Sequence, residues 1–107
     1  MLINLTPHAL TLLGAQGQTV YLPASGQVAR VSEIREALEE IEALPVASVQ
    51  LGEVEGLPEP QDGVVYVVSA LVAGALGGRR SDVVSPGAPV RDAHGSIIGA
   101  RGLTRRV

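Results

Sequence analysis

A chain of 107 residues has room for one domain, residues 1–107, and none for a second core. Hydrophobic residues at 46% and charged residues at 18% describe a globular chain rather than a disordered one, and the lack of cysteine excludes disulfide scaffolds and thiolate metal sites. A net charge of −3, with two tyrosines as the only aromatics, argues against a nucleic-acid binder, which needs a basic surface or stacking platforms.

The first element is a strand, Leu2 to Leu5, ended by the turn Thr6-Pro7-His8, where Pro7 fixes its own φ and pushes Thr6 to an extended conformation. Ala9 to Leu13 and Thr19 to Leu22 flank a Gly-containing connection at 14–18 and read as a hairpin. A turn at Pro23 to Gly26 leads into Gln27 to Val31, whose alternation of polar and apolar residues suits a half-buried strand. Residues 33–44 have two readings. Their apolar positions 34, 37, 38, 41 and 44 fall on one helical face after Ser32, a good N-cap, and Pro45 would end the helix. Against this, Glu39, Glu40 and Glu42 lie at the wrong end of a helix dipole, so helix and two strands both stay open.

Val46 to Leu51 is strand-like, and 52–63 is a Gly- and Pro-punctuated surface loop. Val64 to Val68 is the most apolar run and the expected central strand, buried on both faces. Ser69 caps a short helix over Ala70 to Leu76, and Gly77-Gly78 supplies the left-handed stop. Asp82 to Val84 is a brief strand, Ser85-Pro86-Gly87 a turn, and Ala88 to Arg91 pairs with Ser96 to Ala100 across 92–95. The expected fold class is α+β, mostly β: a small antiparallel or mixed sheet, or a partly open barrel, with one or two short helices.

Charge is unevenly placed. Nine acids face one Arg between Glu33 and Asp62, whereas six Arg face two Asp from Arg79 onward. Every basic side chain is Arg; the simple explanation is base composition, and the chemical consequence is a set of forks suited to phosphate and carboxylate. The start of the chain, Met1 to His8, has no basic leader region, and no apolar run reaches the roughly 20 residues that span a bilayer. The expectation is a cytoplasmic protein with no membrane contact.

Chemistry-bearing residues are few. His8 and His94 are the general-base candidates, and His94 sits among ordinary turn residues. The two histidines are far apart in sequence and no metal-ligand spacing is present, so no metal and no cofactor are expected. Ser69 has the address of a nucleophile elbow without its flanking glycines; an N-cap is the simpler reading. Gly77 to Asp82 is the most suggestive stretch, because glycines allow close approach, Arg79 and Arg80 supply forks, and Asp82 can bond hydroxyls or amides. Its simpler reading is a helix stop followed by a polar turn.

Four stretches together carry a family likeness: Asn4-Leu5-Thr6-Pro7-His8; Gly52 to Pro58; Tyr66 to Val72; and Arg80-Ser81-Asp82-Val83-Val84 through Val90-Arg91-Asp92 to Gly95 and Ile98-Gly99. In them the chain resembles a group of small uncharacterised proteins of phages, prophages and related bacterial genomes. The resemblance spans nearly the whole chain. It implies a mobile-element origin and a turn at Glu42-Ala43, and it carries no activity.

The function expected from these residues is a small binding module. It would take a small anionic, nucleotide-like ligand, or a host protein, through Thr6, His8, Ser69, Arg79, Arg80 and Asp82. One alternative is a structural or assembly protein that forms a homo-oligomer by pairing an aliphatic strand edge. Another is a small hydrolase or transferase using His8 as base with Asp82 or Arg80 as orienter or electrophile, which requires these groups to converge.

Overall fold

A computed structural model describes all residues, Met1–Val107. Eight strands and one helix follow in the order β1 (Leu2–Asn4), β2 (Leu10–Leu13), β3 (Thr19–Leu22), β4 (Arg30–Ile41), β5 (Leu44–Glu55), β6 (Val65–Val67), α1 (Ala70–Leu76), β7 (Val83–Arg91) and β8 (Ile97–Thr104). Six of the strands form one mixed sheet in the order β1-β6-β7-β8-β2-β3. The β1-β6-β7 part is parallel, β7 pairs antiparallel with β8, and β8 lies parallel to β2. The sheet curls until its ends nearly meet. Asn4 Nδ2 donates to Leu22 O at 3.1 Å, and the segment after β3 runs along the β1 end, with Ser25 N–H donating to Asn4 O and Ala29 N–H to Leu5 O. The result is a nearly closed barrel beside a separate two-stranded sheet, β4-β5, which is the mostly-β architecture expected from the sequence.

β6 organises the core. Tyr66, Val67 and Val68 are all buried, as a strand covered on both faces requires. Tyr66 and Val68 join Leu5, Val72, Ala73, Leu76 and Val83 in a cluster beneath α1. Val67 alternates to the other face, where Leu12, Val84 and Ala100 are also buried. The helix forms where its caps demand: Ser69 Oγ accepts from Val72 N–H at 3.3 Å, and Gly77 takes the left-handed conformation at φ 60° while its N–H donates to Ala73 O.

Two expectations are corrected. Ser85-Pro86-Gly87 is not a turn. It lies inside β7, paired through Ser85↔Thr104 and Pro86↔Leu103. β7 pairs β6 only at Val83 and Val84, so beyond Val84 its other edge is free, and Pro86, which by strand alternation turns to the same side as Val84, costs no ladder bond there. Gly87 permits this path, because a Cβ would strike the Arg101 carbonyl. The loop expected at 52–63 also starts late, since β5 runs to Glu55.

At 33–44 the structure takes the two-strand reading. β4 and β5 turn over at Glu42-Ala43, both with positive φ (49° and 65°), next to the pair Ile41↔Leu44. The helical spacing is overridden by tertiary pairing: β4 and β5 are joined from Arg30↔Glu55 to Ile41↔Leu44 across the tight turn. No side chain of either strand is fully buried. Only the root of the hairpin, at Val31 and Val54, packs on the core. The distal part stands away from the barrel as an arm. The radius of gyration is accordingly 16.5 Å, against about 13 Å for a compact chain of this length.

Candidate functional site

The parallel strands β1, β6 and β7 give the molecule two ends. Their starts carry Leu2, Val65 and Val83, and their far ends carry Asn4, Val67 and Val84. Thr6, Pro7, His8 and Ser69 follow the far ends of β1 and β6, whereas Asp82 immediately precedes β7 at the near end, its carbonyl accepting from Tyr66 N–H. The expected residues therefore divide into two groups that do not meet. His8 and Asp82 are two strand spacings apart, about 10 Å, and at opposite ends of the strands. The acid–base pair required by the hydrolase or transferase reading is not assembled.

At the far end, Thr6 is part of a closed knot. Asn4 Nδ2 donates to His8 O at 2.8 Å, and Asn4 Oδ1 accepts from both Thr6 N–H at 2.9 Å and Thr6 Oγ1 at 2.7 Å. Thr6 Oγ1 also lies 2.9 Å from His8 O. Thr6 is buried and contributes its hydroxyl to the turn, and His8 contributes its backbone while its residue surface is exposed. Asn4, the hub of this knot, is 1% exposed and was not among the expected site residues. Its position at the head of the Asn4-to-His8 motif was the available signal. Ser69 spends its hydroxyl on the helix cap and lines a shallow cleft with Pro7, Val28, Arg30, Glu55 and Leu71.

At the near end, Arg79 Nε donates to Leu76 O at 2.8 Å and Nη2 to Ala75 O at 3.1 Å, so its guanidinium covers the free carbonyls at the end of α1. Arg80 forks onto Asp82 with two bonds of 2.8 Å and sends Nη2 also to Pro58 O at 2.8 Å. The two side chains are 21% and 17% exposed, so solvent screens the pair only in part. Hydrogen bonds from the Arg80 guanidinium hold the Asp82 carboxyl below the usual carboxylate range, and the same bonds raise Arg80 above its ordinary value. Together with Tyr66 Oη, which donates to Glu59 O, this fork ties the 56–63 loop to the barrel.

The two arginines border the largest opening of the molecule, a cleft of about 650 Å³ between the end of α1 and the root of β5. Leu51, Val54, Leu57 and Leu76 supply apolar wall, and Glu53 adds one carboxylate. In both arginines Nη1 makes no protein hydrogen bond and remains available as a donor. Leu51, Val54 and Leu57 were missed at the sequence level because β5 was expected to stop at Leu51 and a surface loop to follow.

No three His, Asp or Glu side chains converge closely enough to hold a metal ion, and no helix is long and apolar enough to cross a membrane. Compared with protein-family models, with curated proteins and with solved structures, the chain has no match.

Proposed function

We propose that the protein is a small binding module of phage origin that holds an anionic, nucleotide-like ligand in the cleft between α1 and β5. The observation that carries this reading is the pair of arginines at the rim. Arg79 and Arg80 are each pinned by their own hydrogen bonds, yet each keeps Nη1 free beside an apolar wall. Pinning matters because a guanidinium already held in place loses little rotamer freedom when an anion arrives. The wall of Leu51, Val54, Leu57 and Leu76 suits the flat apolar part of a nucleotide, and the rim suits its phosphate. Glu53 would orient the ligand by repelling phosphate from its own side. The phage origin rests on the resemblance of the Asn4-to-His8 and Arg80-to-Val84 stretches. Thr6 and Ser69 leave the ligand set in this reading, because their hydroxyls are committed to the turn and the helix cap.

The test is a melting-temperature screen against nucleotides, cyclic nucleotides, sugar phosphates and inorganic phosphate. A ligand at about 100 times its dissociation constant adds about 2.7 kcal/mol to the native state. For a domain of this size that is a rise of roughly 10 °C or more. The expected result is a saturable rise with one phosphate-bearing class, lost in Arg79→Gln. A flat screen, or a rise that Arg79→Gln leaves intact, overturns the assignment, and a flat screen shifts the weight to a host-protein partner.

A further inference from the structure

The β4-β5 arm has two open edges, and they differ in chemistry. A two-stranded hairpin is marginal in water by itself, and open edges invite further strands. β4 carries Glu33, Glu36, Glu39 and Glu40 against Arg30 at its root and Arg35, which is how natural sheets guard an edge. β5 has no charged residue from Leu44 to Gly52. Its middle, Val46-Ala47-Ser48-Val49-Gln50-Leu51, is an uncharged run of good strand formers, bounded by Pro45 toward the tip and by the register shift opposite Val31/Glu33 toward the root. On the face shared by Ile34, Ile41, Leu44 and Val46, three of the four large apolar side chains are more than half exposed.

We infer that β5 is an assembly edge that pairs antiparallel with β5 of a second copy of this chain, giving a four-stranded sheet in the order β4-β5-β5-β4. Charge decides between this arrangement and its alternative. Pairing through β4 would bring two rows of glutamates to one strand spacing, about 4.8 Å, where like charges oppose each other directly. Pairing through β5 places the two β4 strands about 14 Å apart, beyond the Debye length of about 8 Å at physiological salt. A two-fold axis through Ser48 keeps the Ile34/Ile41/Leu44/Val46 face continuous across the dimer. It also sets Ala47 against Val49, a small side chain against a larger one, and Val46 against Gln50. A partner protein of different sequence would need an uncharged strand of its own, whereas the second copy brings this one.

Ser48→Lys separates the two states. In the single chain the introduced ammonium lies across from Glu36, an opposite-charge pair that favours the hairpin. In the dimer the two introduced ammonium groups would meet at the axis. Sedimentation equilibrium of the wild type should give twice the chain mass at tens of micromolar. Ser48→Lys should return the single-chain mass with unchanged circular dichroism and at least a ten-fold weaker association. The chain is free of cysteine, so Ser48→Cys should form a single disulfide-linked dimer under mild oxidation. Three results overturn the inference: a wild type of single-chain mass up to millimolar concentration, a dimer that Ser48→Lys leaves intact, or a dimer in which Ser48→Cys does not cross-link. A wild type that pairs only when a foreign protein is added counts among the first.

Discussion

Replacing Asn4 by Ala tests whether the barrel is locked at the seam between β1 and the end of β3. Asn4 donates to His8 O and Leu22 O and accepts from the Thr6 N–H and Thr6 Oγ1. In Asn4→Ala the Thr6 hydroxyl proton turns to His8 O, 2.9 Å away, so both of those groups stay satisfied. Thr6 N–H is left without its partner, whereas Leu22 O is only part-buried and stands opposite Leu10 in the β2-β3 ladder. One orphaned buried group costs about 1–3 kcal/mol, so the expected loss is about 1–3 kcal/mol. That is a sizeable share of the roughly 5–15 kcal/mol typical of a small domain. At roughly 4–8 °C per kcal/mol for a domain near 100 residues, the melting temperature should fall by at least about 4 °C. Asn4→Asp keeps the two acceptor roles but turns a carboxylate toward the carbonyls of His8 and Leu22, and it should cost at least as much at neutral pH. Urea unfolding followed by far-ultraviolet circular dichroism measures both. A loss below about 0.5 kcal/mol for Asn4→Ala, the range of an ordinary surface substitution, would refute the claim that this knot closes the barrel.

Three further outcomes follow from the same structure. Glu42→Asn with Ala43→Gly suits the positive φ of both tip residues and should relieve about 1 kcal/mol or more of local strain, read as slower amide exchange across β4 and β5. Asp82 has a folded value below its unfolded one, so its contribution is fully present above the unfolded pKa of about 3.9 and is lost as pH falls through the lower folded value; the stability gap between wild type and Asp82→Asn should be open at pH 7 and close in the acid range below about pH 4. Gly87→Ala should destabilise the β7-β8 pairing, because its Cβ would collide with the Arg101 carbonyl; equal urea midpoints for the two proteins would contradict the close approach.

Much of this fold was legible in the chain because it is written in local chemistry. Ser69 and Gly77 bracket α1, the β-branched run at 64–68 became the doubly covered β6, and the hairpins across 14–18 and 92–95 follow their turn residues. Asp92 Oδ1, accepting from His94 N–H and Ser96 N–H, is turn chemistry readable from the sequence. The tertiary structure decided what depends on a distant partner. Residues 33–44 have helical spacing, yet pairing with β5 along the whole hairpin holds 30–41 as a strand. Pro86 reads as a turn until β7 is seen to have a free edge beyond Val84. Thr6, Ser69 and Arg80 carry the right atoms for a ligand, but only their neighbours show which of those atoms are spent: the two hydroxyls on Asn4 and Val72, and Arg80 Nε and Nη2 on Asp82 with Pro58. Local propensity sums over a few residues, whereas register, edges and the use of each donor are set by strands far apart in the chain. The charge-free edge of β5 belongs to both levels: its composition is plain in the sequence, and its exposure as an open edge is a product of the fold.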